Sequence, residues 1–420
     1  MSPGRRYHGR MSHPITDLIH HPYVPPEGFA APQPGVFKAS TVIFPNVAAM
    51  RARDWKYKNG YTYGLHGTPT TFMLEERIAA LEGGKHCILV PSGLAAIANV
   101  CMALLRSGDE VLIPDNAYGP NKALAEGELK NWGISHQLYD AMKPADLQAR
   151  IGPRTRLVWL EAPGSVTMEF PPLAELAGIC RQRGVTTALD NTWSAGVAFN
   201  GFDLGQGERR VPGSGADIVV HALTKYPSGG GDVLMGSMVT RDEKLHLQLK
   251  LTHMRVGWGV GGNDAEALLR SLPTLPLRYH AQDAAARTLA AWLASRPEIA
   301  HLLHPAFEGS PGHAHWRAVC GGEGSGAAAG GAAAGLFSVV FDPRFGAPKV
   351  DAFCDALKLF KLGYSWGGPV SLVVPYDVAS MRSPRLATWP NRGILVRFSV
   401  GLEDVQDLRA DLEHALRALV

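Results

Sequence analysis

The stretch His221-Ala-Leu-Thr-Lys-Tyr-Pro-Ser-Gly-Gly-Gly-Asp-Val-Leu-Met-Gly236 carries one lysine, Lys225, between two apolar runs. The first run, residues 218–220, is typical of a short buried strand, and the second lies near Met238. A lysine at the end of a buried strand is poorly solvated, so it tends to lose its proton or to form an imine with an aldehyde. The three glycines allow the backbone to approach a bulky planar group. A lysine that merely reaches solvent is the alternative interpretation.

A second stretch, residues 186–192, is a β-branched run that ends in an acid, Asp190. Carboxylates at strand ends in α/β proteins point into the ligand crevice. For a lone aspartate, the alternative is a helix cap or a turn residue. Together, Asp190 and Lys225 fit pyridoxal phosphate, because the lysine can form the Schiff base and the acid can hold the ring nitrogen protonated.

The composition excludes several other classes of protein. The chain has 420 residues, of which 46% are hydrophobic and 19% charged, as in ordinary globular proteins of one or two domains. Its net charge is only +3 and its charged residues are interspersed along the chain, which argues against a nucleic-acid surface. No apolar run is long enough to span a membrane, and no apolar segment of a secretory signal follows the basic residues 1–10. Five scattered cysteines indicate neither a zinc site nor disulfides, so we expect a cytoplasmic protein.

Residues 1–66 are predicted to be an extended N-terminal arm. The first sixty residues are rich in histidine, proline and aromatic residues, with little helical periodicity. Proline disfavours helices and central strands, and this segment contains Pro22, Pro25, Pro26, Pro32 and Pro34. Because such an arm rarely packs alone, we expect it to lie across a neighbouring subunit.

Residues 67–280 alternate between strand and helix patterns. A helix over 72–81 stops at Gly83-Gly84, a strand follows over 87–90, and Pro91-Ser-Gly-Leu-Ala-Ala96 opens a helix that runs to Leu105. A glycine at a strand-to-helix turn, with free backbone N–H groups beyond it, can bind a phosphate. An ordinary helix capped by Ser92 is the alternative.

The alternation continues with strands over 110–114 and 156–161 and a helix over 172–183. This pattern predicts a mostly parallel sheet with a ligand crevice at its carboxyl edge. The predicted phosphate-binding turn, Tyr118, Ser165, Asp190 and Lys225 all fall at that edge. Their convergence is more informative than any one of them.

Residues 281–420 are predicted to form a smaller α+β domain, with a helix over 284–294, strands over 336–341 and 393–400, and a helix over 405–419. Residues 321–335 are almost wholly Gly and Ala and are interpreted as a flexible insertion without function. Arg397 lies in mid-strand between apolar neighbours. A buried arginine needs a carboxylate, which could belong to an internal ion pair or to a substrate.

Seven short motifs now point to a known family. They occur in its order from Gly35 onward: Tyr63-Gly64, Leu81-Glu-Gly-Gly84, Pro91-Ser-Gly93, Ala117-Tyr118, Leu189-Asp-Asn191, Thr224-Lys-Tyr226 and Gly401-Leu-Glu-Asp404. The chain resembles the Cys/Met-metabolism family of pyridoxal-phosphate enzymes. The resemblance implies fold type I, the aspartate aminotransferase fold, with a large domain built on a mostly parallel sheet and a smaller α+β C-terminal domain.

Within the family, three segments are most similar to the cystathionine β-lyases: Ala162-Pro-Gly-Ser-Val-Thr-Met-Glu169, Ala117-Tyr-Gly-Pro120 and Tyr364-Ser-Trp-Gly-Gly368. The similarity implies β-elimination on a sulfur amino acid, with cystathionine giving homocysteine, pyruvate and ammonia. A γ-acting relative (a cystathionine γ-lyase or γ-synthase, or a methionine γ-lyase) is the first alternative. The second, of a different class, is a catalytically silent cofactor-binding protein.

The resemblance also implies roles for individual residues. Lys225 and Tyr118 are the catalytic residues, with Tyr118 stacked on the cofactor ring and Asp190 at the ring nitrogen. The phosphate is held by Gly93, Leu94 and Thr224, and by Tyr63 from a neighbouring subunit of a homo-oligomer, expected to be a dimer of dimers. The substrate is held by Ser365, Trp366 and Arg397.

Three positions depart from the family pattern. At the position of the usual phosphate-binding arginine this chain has Leu65, and His66 beside it could take over the role. The family often has a serine two positions before the threonine–lysine pair, where this chain has Ala222. It often has a glutamate two positions after Gly368, where this chain has Val370. The detailed phosphate and substrate assignments depend on these positions, whereas the assignment of Lys225 does not.

Overall fold

The computed structural model describes residues 14–19, 27–29, 31, 33–205, 207–321, 330–386 and 389–419. Across these residues the chain forms one sheet of seven strands and a second sheet of five, each packed with helices. The predicted α/β class, with a large mostly parallel sheet and a smaller second sheet, is confirmed.

The larger sheet has the strand order β1-β7-β6-β5-β4-β2-β3. Strand β7 is antiparallel to both of its neighbours, and the other adjacent pairs are parallel. The strands are β1 His86–Val90, β2 Glu110–Pro114, β3 Ser135–Tyr139, β4 Thr155–Glu161, β5 Thr186–Asp190, β6 Ile218–His221 and β7 Gly236–Thr240.

Both faces of this sheet are buried, as expected for a parallel sheet with helices on each side. In β4, Val158 and Leu160 pack in one apolar core, while Leu157 and Trp159 pack in the core of the opposite face. Because side chains alternate along a strand, one apolar run supplies both cores. Only the strand ends remain available for polar chemistry.

The helices of the first part of the chain are α1 Pro14–Ile19, α2 Val47–Arg51, α3 Pro69–Glu82, α4 Gly93–Leu104, α5 Gly119–Leu124, α6 Pro144–Arg150, α7 Leu173–Gln182, α8 Glu243–Val256 and α9 Gly262–Ser271. Helix α3 starts at a capping box in which Thr68 and Thr71 satisfy each other's backbone N–H groups. It ends at Gly83, whose φ of 75° is a left-handed conformation that favours glycine.

The second sheet has the order β10-β11-β12-β9-β8. Its strands are β8 Ile299–Leu303, β9 Leu336–Phe341, β10 Lys361–Leu362, β11 Leu372–Tyr376 and β12 Leu395–Ser399. The helices of this part are α10 Leu275–Ala294, α11 His313–Cys320, α12 Ala347–Ala356, α13 Val378–Met381 and α14 Val405–Leu416. Phe337 and Phe398 stack at 5.1 Å in the core beneath the sheet.

The Gly/Ala-rich segment 321–335 is more ordered than its composition predicts where the structure describes it. Residues 322–329 lie outside the described residues. In 330–335, however, Ala333 and Ala334 are fully buried, and the Gly335 N–H donates to the Tyr226 hydroxyl at 2.8 Å. A Cβ on Gly335 would lie 2.8 Å from the Cβ of Gln282. The prediction of a flexible insertion is therefore wrong for 330–335, where small side chains are required by close packing.

The N-terminal segment and the predicted domain boundary can be described in part. In the arm, Leu18 of α1 is buried in the core of the large sheet, so this turn of helix packs on its own chain. Helix α10 runs through the predicted boundary at 280/281, and the domain division stays a prediction. Among the described residues, no helix is both long enough and apolar enough to cross a membrane.

Candidate active site

A cavity of about 470 Å³ lies at the carboxyl edge of the large sheet. Its walls come from strand ends of that sheet, from the start of α4 and from the second sheet. It brings together the predicted site residues Gly93, Leu94, Tyr118, Ser165, Asp190, Thr224, Lys225, Trp366 and Arg397. Residues from both halves of the sequence thus meet at one place.

Lys225 follows β6 and extends toward the loop between β10 and β11. Its Nζ donates a hydrogen bond to Ser365 Oγ at 3.0 Å and lies 5.5 Å from the ring centre of Trp366. Burial, followed by the positive charge of Arg397, lowers the pKa of Lys225 to about 8. About a tenth of the amine is therefore neutral at pH 7, far more than for a solvated lysine, and this form is able to attack a carbonyl.

Asp190 is the last residue of β5, and its carboxylate accepts hydrogen bonds from the backbone N–H and the hydroxyl of Thr192. Burial raises the pKa of Asp190, while the Thr192 hydrogen bonds, His221 and Lys225 act in the opposite direction. A cationic group bound beside Asp190 would stabilise its charged form. The residue thus fits the protonated ring nitrogen of a pyridine.

The turn from β1 into α4 can bind an anion. The Ser92 hydroxyl accepts a hydrogen bond from the Ala95 N–H at 3.0 Å. Ser92 therefore caps the helix, as in an ordinary capped helix. The backbone N–H groups of Gly93 and Leu94 have no acceptor within the described part of the chain. A Cβ on Gly93 would lie 2.5 Å from the Cβ of Ala222. The turn therefore keeps free donors at a helix N-terminus and leaves no room for a side chain there.

Arg397 lies in the centre of β12 and is only 8% exposed. One terminal nitrogen, Nη2, donates to the Ser365 carbonyl at 3.3 Å, and Nε has no partner among the described residues. None of the described acidic side chains forms an ion pair with Arg397, so the internal ion pair considered above is absent there. Burial lowers the pKa of Arg397. A buried guanidinium with unsatisfied donors beside a cavity is suited to bind a carboxylate.

Tyr118 and Thr224 both line this cavity. The ring of Tyr118 is 42% exposed, and burial, followed by the charge of Asp190, raises the pKa of its phenol. The Thr224 hydroxyl donates to the Met235 carbonyl at 3.3 Å and accepts the Met235 N–H at 3.2 Å. Tyr118 is thus partly exposed at the cavity, while Thr224 is held by Met235, the residue before β7.

Tyr63 and His66 lie outside the cavity of their own chain. The rings of the two residues are 5.8 Å apart, and His66 Nδ1 is 2.8 Å from the Thr62 hydroxyl. Burial, followed by the charge of Lys250, lowers the pKa of His66. Their predicted contacts with phosphate therefore require a second copy of the chain.

Sequence reasoning missed other side chains that line the cavity, namely Glu161, Leu234, Tyr364, Tyr376 and Met381. Glu161 could have been found, because it ends a predicted strand just as Asp190 does. Tyr376 could not, since Pro375 interrupts its strand pattern.

These residues fit a cofactor that has a carbonyl group, a phosphate and a pyridine ring. Comparison with known proteins agrees: the family model "Cys/Met metabolism PLP-dependent enzyme" matches residues 15–417. The chain belongs to this family. It is therefore a pyridoxal-phosphate-dependent enzyme, as predicted.

The chain is similar along most of its length to several members of the family. A putative cystathionine beta-lyase of Rhizobium johnstonii is 37% identical over 92% of this chain and 91% of its own length. A cystathionine gamma-synthase of Mycobacterium bovis is 32% identical over 99% and 100%, and an L-alanine/L-glutamate racemase of Wolbachia pipientis is 30% identical over 92% of both. The crystal structure of metB from Corynebacterium glutamicum superposes with a TM-score of 0.81 at 28% identity, covering 98% of this chain and 99% of that one.

Proposed function

We propose that the protein catalyses β-elimination on a sulfur amino acid, with cystathionine as substrate and homocysteine, pyruvate and ammonia as products. It would thus be a carbon–sulfur lyase like its relatives named cystathionine beta-lyase. The observation that carries the proposal is the meeting of two groups at Ser365. The amine of Lys225 and the guanidinium of Arg397 both contact this residue.

Arg397 binds the substrate's α-carboxylate. Within the described part of the chain its Nε has no partner, and its guanidinium is buried, so a carboxylate satisfies donors that water cannot easily reach. The Trp366 ring lines the same cavity, and the Ser365 carbonyl accepts from Arg397. This anchoring fixes the Cα–H bond relative to the amine of Lys225.

Pyridoxal phosphate would be held by residues of this cavity. The free N–H groups of Gly93 and Leu94 would bind its phosphate, Asp190 would pair with its ring nitrogen, and Tyr118 would stack on its ring. When bound, the cofactor supplies an electron sink for a negative charge at Cα. The carboxylate of Asp190 keeps the ring nitrogen protonated, which makes that sink effective.

Lys225 is the base that takes the Cα proton. Its pKa of about 8 lets the amine accept a proton near neutral pH and donate it later. The half-exposed phenol of Tyr118 lies at the same cavity, where the leaving thiolate needs a proton.

Three further parts of the proposal concern the working form of the enzyme. Tyr63, with His66 in place of the missing arginine, reaches the phosphate of a neighbouring subunit in a homo-oligomer built as a dimer of dimers. The chain divides into an arm over 1–66 and domains over 67–280 and 281–420. The enzyme works in the cytoplasm, in keeping with five cysteines that are all free and buried.

Product analysis with cystathionine tests the reaction. The purified, cofactor-loaded enzyme is incubated with L-cystathionine, and the keto acids and thiols are separated. Pyruvate with homocysteine supports β-elimination. The appearance of 2-oxobutyrate with cysteine would assign γ-elimination instead. In a parallel incubation with L-alanine, D-alanine formed without any keto acid would assign the activity named for the Wolbachia relative.

A further inference from the structure

Glu161 is a carboxyl group at the cavity that the proposed mechanism does not use. It is the last residue of β4 and pairs in register with Asp190, the last residue of β5. Because residues paired in parallel strands point to the same side, the two carboxyl groups face the same crevice. Two acids side by side at a sheet edge are unfavourable unless each has a task or a partner.

The partner of Glu161 is the backbone of Tyr118. Its Oε2 accepts the Tyr118 N–H at 2.8 Å, across 43 residues of sequence. Tyr118 is the N-cap residue of α5, with φ −47° and ψ 119°, and its own side chain makes no capping hydrogen bond. The hydrogen bond that its N–H donates to Glu161 therefore fixes the turn that carries the Tyr118 ring. The other oxygen, Oε1, accepts no hydrogen bond from the described residues.

Charged groups on three other elements face Glu161. Burial, and then the charge of Asp190, raise the pKa of Glu161 well above its usual value, while Lys122 and Arg382 act in the opposite direction. Lys122 lies on α5, one turn beyond Tyr118, and its Nζ donates to the carbonyl oxygens of Asp115 and Met381. The turn at Tyr118 is thus held from the sheet side by Glu161 and from the side of α13 by Lys122.

We propose that Glu161 is a positioning residue for Tyr118, whose oxygen acceptor holds the tyrosine backbone so that the ring lies over the cofactor. This inference rests on the proposed function, since it presumes that Tyr118 stacks on the pyridine ring. The role requires a hydrogen-bond acceptor at Oε2 and does not require ionisation. Glutamine should therefore replace Glu161, whereas leucine should not.

The experiment compares Glu161→Gln with Glu161→Leu in the cofactor-loaded enzyme. Glu110→Gln is the matched control, because Glu110 is a buried glutamate at the opposite edge of the sheet, bonded to Gln137 and Thr155. Visible circular dichroism of the bound cofactor, measured without substrate, reports the asymmetry around its ring. Melting of the cofactor-free proteins shows whether each variant is folded.

We expect Glu161→Leu to change the visible circular dichroism and to lower kcat about 10- to 100-fold, the scale for a displaced catalytic group. Glu161→Gln and Glu110→Gln should both match the wild type. In a Tyr118→Ala background, Glu161→Leu should have no further effect on the spectrum. Should leucine prevent folding, methionine, which is unbranched and offers only a weakly accepting sulfur, takes its place.

Three results would overturn the inference: a wild-type spectrum for Glu161→Leu, a glutamine variant as impaired as the leucine variant, or an undiminished effect without Tyr118. The spectrum also separates this inference from the proposed function. If the wild type failed to release pyruvate, the β-elimination would be wrong, yet the spectra would still decide the role of Glu161.

Discussion

The amine of Lys225 lies 3.0 Å from the hydroxyl of Ser365, and Arg397 donates to the backbone carbonyl of that same serine. The serine belongs to the loop between two strands of the smaller sheet, whereas the lysine follows a strand of the larger one. The amine of Lys225 and the guanidinium of Arg397 are thereby held together by a loop residue of the smaller sheet. Replacing either group should have a distinct effect on catalysis.

Replacing Arg397 should impair substrate capture. A hydrogen bond to a charged group contributes about 1.5–3 kcal/mol, so Arg397→Ala should raise KM about 10- to 100-fold, with a smaller loss in kcat from misorientation. Arg397→Lys should recover part of the loss, because it keeps the charge without the fork. The control is Arg344→Ala, since Arg344 lies in the same half of the chain but is half exposed. Steady-state kinetics that show an unchanged KM for Arg397→Ala would assign the carboxylate to another residue.

Replacing Asp190 should impair the chemical step. Asp190→Asn keeps the shape and removes the charge beside the ring nitrogen, so kcat should fall at least ~10²-fold, the scale for one preorganised electrostatic group. KM should change little, because the substrate carboxylate is bound elsewhere. The control is Asp217→Asn. Asp217 accepts two hydrogen bonds from Thr187 at the amino edge of the sheet, so this change should lower the stability of the protein and leave kcat unchanged. Near wild-type turnover of Asp190→Asn would make Asp190 a structural cap.

Two glycines at helical positions should respond in opposite ways to alanine. A Cβ on Gly93 meets Ala222 at 2.5 Å, so Gly93→Ala should weaken cofactor binding by displacing the turn. Gly178, in the middle of α7, has open space around its Cβ position, so Gly178→Ala should stabilise the protein by about 0.5–1 kcal/mol. Cofactor titration and thermal melting measure the two effects. Equal cofactor affinity in Gly93→Ala and wild type would remove this turn from the phosphate site.

Mixing inactive variants tests whether Tyr63 acts on a neighbouring subunit. Tyr63→Ala and Lys225→Ala should each be nearly inactive as pure oligomers. When they are unfolded and refolded together, some mixed oligomers contain one site with both residues intact. Activity should then recover to as much as about a quarter of the wild-type level for equal mixing of two subunits, if assembly is random. Absence of recovery in a mixture shown to form hybrid oligomers would place Tyr63 outside the site.

Much of the site could be predicted from the sequence because its residues follow strands that are recognisable as apolar runs. Asp190 ends such a run and Lys225 follows another by a few residues, and parallel strands bring their carboxyl ends to one edge. The burial of Arg397 was equally evident from its apolar neighbours in β12. Local patterns were thus sufficient wherever the function depends on a strand end or a strand centre.

Other features depend on contacts that no local pattern reveals. The apolar run near Met238 forms β7, but its antiparallel place between β1 and β6 is set by long-range pairing. The segment 330–335 has the composition of a linker, yet Gly335 is small because Gln282 and Tyr226 pack against it. The link from Glu161 to Tyr118 joins residues far apart in sequence, so only the folded structure exhibits it.

The central claim is that the amine of Lys225 binds the cofactor, and borohydride trapping tests it most directly. Reduction of the loaded enzyme fixes any amine–cofactor bond, and peptide mapping then identifies the modified lysine. We predict a single label on Lys225 in the wild type and none in Lys225→Ala. Lys250 is the informative competitor, because burial also lowers its pKa, although its amine donates to the His66 carbonyl at 2.8 Å. A label on Lys250, or on any lysine other than Lys225, would contradict the account.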